Sequence, residues 1–250
     1  MYQAKTLPSL PREQLPTMYD LPSEEIGDAG LPDQYHLWQA ELLAQTFLPP
    51  NYPREKVFVG CDLNLYYTLE QPRWYKRPDW FGAVGVDRFY GQKDSRLSYV
   101  IWQEQVRPFI VIEFLSPSTE KEDLGLVKSR KGEKPSKWQV YEEILQIPYY
   151  LVFNGHNNEL KLFKLEGGKY SQVETKDDRY WFKEIKLGLG LYLGNYQGLT
   201  RLWLRWYDEN NNLIPTPVEQ EAQRANSAEL EIAKLKQLLQ QAGIEMPESD

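Results

Sequence analysis

One cysteine, Cys61, and two histidines, His36 and His156, are all that this 250-residue chain has of the side chains that most often bind zinc or pair a nucleophile with a base. A lone cysteine excludes intrachain disulfides and thiolate zinc sites. Two histidines cannot build a multi-histidine metal centre within one chain. His36 lies on a predicted helix and His156 in the turn Asn154-Gly155-His156-Asn157-Asn158, poor positions for a Ser-His-Asp or Cys-His centre. No apolar run approaches the ~20 residues that a bilayer span needs. The start, Met1-Tyr2-Gln3-Ala4-Lys5, lacks the apolar stretch of a secretory signal. The chain therefore reads as cytoplasmic, with no membrane partner. Its chemistry falls to carboxylates and lysines, with a hard metal ion if any.

What the chain does have is a core-forming composition, 41% hydrophobic and 14% aromatic with 17 Tyr and 8 Trp. That suffices for a sizeable core without disulfides or a structural metal. A net charge of −7 argues at face value against a nucleic-acid partner. The acidity is confined to the ends, however. Residues 1–32 set Lys5 and Arg12 against Glu13, Asp20, Glu24, Glu25 and Asp28, and residues 218–250 set three basic side chains against seven acidic ones. The body from 33 to 217 is left neutral, with local clusters.

Five prolines and no period mark 1–32 as an irregular arm. Residues 33–47 read as a helix, with Tyr35, Trp38, Leu42, Ala44 and Phe47 near a 3.6 period. Residues 57–68, 78–86 and 97–102 are strand-like. The nearly continuous apolar run 109–115 is the mark of a central strand buried on both faces. A loop rich in Ser, Lys, Gly and Pro leads to a helix over 136–146, opened by a Ser136/Gln139 capping box and ended by Pro148. Strands follow at 149–153, 159–165, 169–173, 180–187 and 199–207, with a last hairpin about Asp208-Glu209-Asn210-Asn211. Beyond Pro217, Ala225, Ala228, Ile232, Leu235, Leu239 and Ala242 recur at spacings of 3, 4, 3, 4, 3. This C-terminal helix carries an a/d seam of under three heptads, a short coiled coil that either packs on the body or pairs with a second copy as a homodimer.

Glu113 stands out chemically. It interrupts Phe109-Ile110-Val111-Ile112-Glu113-Phe114-Leu115, where a carboxylate costs several kcal/mol unless it is paired, protonated or bound to a cation. An edge position or an ion pair with one of the 29 basic residues would also account for it. Asp79 begins a strand in Arg77-Pro78-Asp79-Trp80, although Pro-Asp is common turn chemistry. Asp62, in Cys61-Asp62-Leu63-Asn64-Leu65, shares a strand face with Asn64 and suits a solvated face equally well.

Together, Pro78-Asp79, the segment Val111-Ile112-Glu113-Phe114-Leu115-Ser116-Pro117-Ser118-Thr119, an acidic residue soon after and a helical Lys-x-x-x-Tyr resemble the Uma-type family of restriction endonucleases. That family lies within the PD-(D/E)XK nuclease superfamily. The resemblance is strongest between Asp62 and Phe153, and Ile-Glu-Phe-Leu-Ser-Pro-Ser-Thr is its most specific string. It implies an α/β (mixed α+β) fold: a restriction-endonuclease-like core over 33–217, with a central mixed, mostly antiparallel sheet flanked by helices. The C-terminal helix of 218–250 also looks like tails on family members. The resemblance implies a metal-dependent phosphodiesterase in which Asp79, Glu113 and the main-chain carbonyl of Leu115 hold Mg²⁺ or Mn²⁺.

In the superfamily a lysine two residues past the Glu orients the attacking water. Here that position is Leu115, and Lys137-Trp138-Gln139-Val140-Tyr141 offers a helix-borne lysine instead, with Lys137 and Tyr141 on one face. Lys128, five residues after Asp123, is the rival; a solvated first-turn lysine is the plainer reading of Lys137. Glu41 on the first helix is a candidate additional acid or a surface glutamate. Ser116, Ser118 and Thr119 read as loop or phosphate contacts, with no base nearby.

Two basic clusters favour DNA. Lys128, Arg130, Lys131, Lys134 and Lys137 crowd one loop, opposed only by Glu133, and Arg73, Lys76 and Arg77 precede Asp79 among Trp74 and Tyr75. A local patch can bind phosphates despite net acidity, though exposed basic loops are common. The leading expectation is a Mg²⁺-dependent DNA endonuclease. The alternatives are a catalytically silent DNA-binding or protein-interaction module on the same fold, and a hydrolase of smaller phosphoesters.

Overall fold

The computed structural model describes residues 11–17, 20, 34–115, 120–130, 132–155, 157–175 and 177–241. Lys131, Ser116, Ser118, Thr119, His156, Ala242 and most of the N-terminal arm lie outside the described residues. The chain divides into two compact units, Met1–Leu213 and Ile214–Asp250.

In chain order the first unit runs α1 (Gln34–Thr46), β1 (Val57–Cys61), β2 (Leu65–Tyr66), β3 (Tyr75–Lys76), β4 (Trp80–Val84), β5 (Tyr99–Val100), α2 (Ile101–Glu104) and β6 (Ile110–Phe114). Helix α3 (Glu120–Asp123) and helix α4 (Lys137–Gln139) then cross to β7 (Tyr149–Asn154), with a π-helical turn, Val140–Ile144, continuing α4. There follow β8 (Glu159–Glu166), β9 (Lys169–Val173), β10 (Arg179–Phe182), β11 (Leu187–Tyr196) and β12 (Leu199–Tyr207). The second unit holds α5 (Pro217–Gln241).

The main sheet has the order β1-β4-β6-β7-β8-β9. Only β6 and β7 pair in parallel; the other four neighbours are antiparallel. This is the mixed, mostly antiparallel sheet of a restriction-endonuclease-like domain, and α3 and α4 make the crossover that a parallel pair requires. All five residues of β6 are buried, as its apolar run predicts. Strand alternation sends Val111, Glu113 and Leu115 one way, into a cluster with Phe81, Tyr99 and Tyr141. Ile110, Ile112 and Phe114 face the other way, where Phe114 meets the His36 ring edge-on at 5.8 Å.

That second face is covered by α1 and the three-stranded sheet β10-β11-β12. Phe47, Trp80 and Trp206 pack there with ring centroids 5.0–5.8 Å apart. Gln39 joins α1 to β12 with both ends of its amide: Nε2 donates to Leu204 O and Oε1 accepts from Leu204 N, each at 2.9 Å. The described part of the N-terminal arm is anchored too. Leu15 is buried, Gln103 Nε2 donates to Arg12 O and Leu15 O, and Trp102 Nε1 donates to Pro16 O.

Several elements differ from the sequence reading. The strand predicted over 57–68 is cut in two at Asp62, whose φ of 47° is left-handed; aspartate tolerates that region better than most residues. The strand predicted over 97–102 is only two residues long and turns into α2 at Ile101. The predicted helix over 136–146 is one α-helical turn followed by the wider π turn. The strand predicted over 180–187 is the end of β10 and the start of the ten-residue β11. Glycines at 188, 190 and 194 hide β11 in the sequence, since glycine weakens a strand signal. Gly188 is required by packing: a Cβ there would sit 2.0 Å from the Tyr207 ring.

Replacing Gln39 by Leu should leave the Leu204 N–H and C=O buried without partners, lowering the unfolding free energy by about 1–3 kcal/mol. Urea titration of wild type and Gln39→Leu measures this, and an unchanged midpoint would show that the amide clamp adds nothing.

Candidate active site

Asp79 and Glu113 meet because β4 and β6 are antiparallel neighbours, with Trp80 opposite Ile112. Asp79 immediately precedes β4. Its Oδ2 accepts from the Phe114 N–H at 2.6 Å, and its own N–H donates to Glu113 Oε2 at 3.3 Å. The Pro-Asp turn is braced from the other side by Asp62, whose N–H donates to Asp79 O. The Arg77 guanidinium reaches Asp62 Oδ1 at 2.8 Å and Oδ2 at 3.0 Å. Asp62 therefore holds the turn rather than joining the carboxylates around Glu113.

Glu113 is fully buried. Oε1 accepts from the Tyr141 hydroxyl at 2.8 Å and Oε2 from the Lys137 ammonium at 3.0 Å. Lys137 also reaches Asp123 Oδ1 at 2.9 Å. Asp123 ends α3 and is 1% exposed. Its main-chain carbonyl accepts from Tyr150, while Oδ2 has no hydrogen-bond partner among the described residues. Leu115 follows β6 directly and donates its N–H to Phe153 O.

Local structure aims the lysine. The capping box of Ser136 and Gln139 starts α4. Glu122 accepts from the Lys137 N–H at 2.8 Å and pairs with Lys76 at 2.8 Å. Gly125 has φ 69°, and a Cβ there would lie 2.6 Å from the Trp138 indole, so the turn after α3 can pack under α4 only with glycine. The π turn that follows contains Tyr141; such turns recur at functional sites.

Three carboxylates here share one ammonium. With all of them ionised the cluster carries two negative charges in excess. Burial accordingly pushes the Glu113 carboxyl up to about 8, with Asp79 and Asp123 adding to the rise and Lys137 opposing it. Asp79 is also raised, by burial first, against relief from Lys137, the Phe114 N–H and His36. The Lys137 ammonium is raised as well. Burial disfavours its charge, but Glu113, Asp123 and Asp79 outweigh it and hold the ammonium above its ordinary value. Cys61 offers no nucleophile: burial lifts its thiol to about 12, with Asp62 and Glu41 adding.

The remaining sequence candidates lie elsewhere. Glu41 is exposed and bonds Gln45. Lys128 is exposed and pairs with none of the cluster carboxylates. Lys76 and Arg77 are engaged by Glu122 and Asp62. Arg73, Arg130 and Lys134 are exposed, and the Lys134 ammonium sits 4.5 Å above the Tyr75 ring. That contact joins two basic segments about 60 residues apart in sequence into one rim beside Lys137. Asp123 is the residue that sequence reasoning left without a role; its only signal was an acidic residue soon after the Glu113 strand.

The donor set fits a hard divalent cation. It is all oxygen, it holds an unpartnered buried carboxylate oxygen in Asp123, and its excess negative charge equals what such an ion supplies. Among the described residues no group of three or more acidic, histidine or cysteine side chains is placed to hold a metal ion. Mg²⁺ does not need one, since it usually keeps several waters beside one or two carboxylates.

A mixed sheet with an acid–lysine cluster beside its central parallel pair defines a protein of the restriction-endonuclease-like class. The chain matches the Uma2 family, described as putative restriction endonuclease, over residues 5–193, and it belongs to that family. No curated protein matches it. No helix among the described residues is long and apolar enough to cross a membrane.

Between about pH 4.5 and 8 the folded protein holds a proton at Glu113 that the unfolded chain releases. Metal-free stability should therefore fall as pH rises through that window. A divalent cation competes with the proton, so stabilisation by Mg²⁺ should grow over the same range. Thermal melts in EDTA and in Mg²⁺ test both trends, and Glu113→Gln should flatten them. Equal slopes in wild type and Glu113→Gln would mean that another group titrates.

Proposed function

We propose that this protein is a Mg²⁺- or Mn²⁺-dependent endonuclease that hydrolyses DNA phosphodiester bonds. The observation that carries this reading is the buried cluster of Asp79, Glu113 and Asp123 around Lys137, beside a rim of exposed basic side chains. Asp79, Glu113 and the Leu115 carbonyl would hold the ion, with Asp123 Oδ2 as a further oxygen donor. The chemistry such an ion would supply when bound is neutralisation of the phosphodiester charge and a lowered pKa for water.

The chain's own groups do the rest. Lys137 stays an ammonium at neutral pH, so it acts as a donor: it orients the attacking water and offers a proton to the charge that develops on the phosphate. Tyr141 holds one Glu113 oxygen and leaves the other to face Asp79 and Lys137. Glu122 keeps the start of α4 in place. Arg73, Arg130 and Lys134, with Lys128 further along the loop, would bind backbone phosphates and position the strand. Lys76 and Arg77 hold the site together from within ion pairs and contribute long-range charge.

The catalytically silent reading draws on Leu115, where the superfamily carries its lysine. Plasmid nicking separates the two. Wild type should nick in Mg²⁺ or Mn²⁺ and not in EDTA, and its rate should fall with salt as phosphate contacts are screened. Lys137→Ala should lose about 10²–10⁴-fold in rate while keeping its stabilisation by Mg²⁺, whereas Glu113→Gln should lose both. Lys128→Ala should lose little. Absence of nicking in a preparation that also fails to bind divalent ions would overturn the nuclease reading.

A further inference from the structure

The β1–β4 ladder sets Val57 opposite Val84 and Cys61 opposite Trp80. One end of it lies beside Asp79, and the other is about 17 Å away, the length of five extended residues. At that far end the short turn Arg54–Lys56, just before β1, meets the loop that follows β4. Between them is a cavity of about 430 Å³, walled by Arg54, Glu55 and Lys56 on one side and by Asp87, Arg88 and Phe89 on the other. Cavities of this size hold small ligands.

Both walls are fixed in place. The Arg88 N–H donates to Glu55 O and the Gly85 N–H to Lys56 O, each at 2.8 Å. The buried Arg96 guanidinium donates to Asp87 O at 2.8 Å and to Arg88 O at 2.9 Å, while it grips both Glu104 carboxylate oxygens at 2.8 Å. Lys56 and Asp87 pair with each other across the two walls.

Two guanidiniums remain. Neither the Arg54 nor the Arg88 side chain makes a hydrogen bond or an ion pair among the described residues, and Arg88 lies only over the Phe89 ring, 5.2 Å from its centroid. Glu55 is exposed and pairs with neither. Burial first, and then the charge of Arg88, push the half-buried Arg54 guanidinium below its ordinary value. Two like charges brought together in a concavity repel, and a bound anion removes the repulsion.

A phosphomonoester suits this arrangement. It carries close to two negative charges near neutral pH and three acceptor oxygens, which guanidinium forks match bidentately. A backbone phosphodiester, with a single charge, would leave one guanidinium uncompensated. Phe89 is 48% exposed and adds an apolar ring to the wall, against which a planar ligand body can lie.

We propose that Arg54 and Arg88 form a second anion-binding site, which takes the phosphomonoester group of a nucleotide-sized ligand. This inference stands independently of the nuclease reading, because the pocket shares no residue with the carboxylate cluster. Such a group is carried by a free nucleotide or by the phosphorylated end of a nucleic-acid strand.

Calorimetric titration of the full chain, in phosphate-free buffer with EDTA to exclude metal-bound phosphate, tests this. Adenosine monophosphate should bind and adenosine should not. Arg54→Gln and Arg88→Gln should each weaken the monophosphate by about 10–100-fold, and Arg130→Ala should leave its affinity unchanged. Neither guanidinium has a side-chain partner to lose, so both Gln variants should melt no lower than wild type without ligand. The monophosphate should then raise the melting temperature of wild type and not of the variants. Tighter binding of a terminally phosphorylated oligonucleotide than of its hydroxyl-ended counterpart, lost in Arg88→Gln, would assign the strand end as the source. Equal binding of the two oligonucleotides, with the monophosphate still bound, would assign the free nucleotide. Absence of monophosphate binding overturns the proposal. So does binding that is unchanged in both Gln variants, or that is weakened as much by Arg130→Ala.

Discussion

The burial of one carboxylate organises this protein. Glu113 lies in the middle of the most buried strand, where an unpaired charge cannot persist. Each neighbour that makes it tolerable is also a feature of the candidate site. Tyr141 takes one oxygen and Lys137 the other, the Asp79 N–H approaches from β4, and Asp123 waits on the far side of the lysine. Replacing this polar set by packed hydrophobic residues would be compatible with a stable sheet. Its presence in the core is therefore better explained by chemistry than by stability.

The supporting parts form a hierarchy around that cluster. Lys137 is held by the capping box and by Glu122, Glu122 is held by Lys76, and Asp79 is held through Asp62 and Arg77. Residues that look like a basic binding surface in sequence thus divide into two groups. Lys76 and Arg77 are engaged in bracing, while Arg73, Arg130 and Lys134 stay open to solvent. Neutrality of the body hides this, because charge composition says nothing about which side chains neutralise each other inside the fold.

The local chemistry of the chain was readable where a single segment carries its own signal. The β6 run, the Ser136/Gln139 capping box and the helical character of the tail all follow from residue spacing within one element. Strands with weak or glycine-diluted patterns were not readable. The break at Asp62 depends on Arg77, which lies 15 residues away in sequence, and β11 needs the Tyr207 ring against Gly188. Asp123 had no reading of its own because an acidic residue in a charged loop is indistinguishable from a solvated one until its burial is known.

By itself, then, the sequence determined which groups were available: few histidines, one cysteine, and carboxylates and lysines in a pattern that resembles one nuclease family. It also determined the strand in which Glu113 had to be buried. Only the tertiary structure decided which of two lysines reaches that glutamate, that Asp123 joins it, and that two distant basic segments share one rim. The physical reason is one of range. Propensity and periodicity act over a few residues, whereas a charged site is made by desolvation and by pairing between elements that the fold alone brings together.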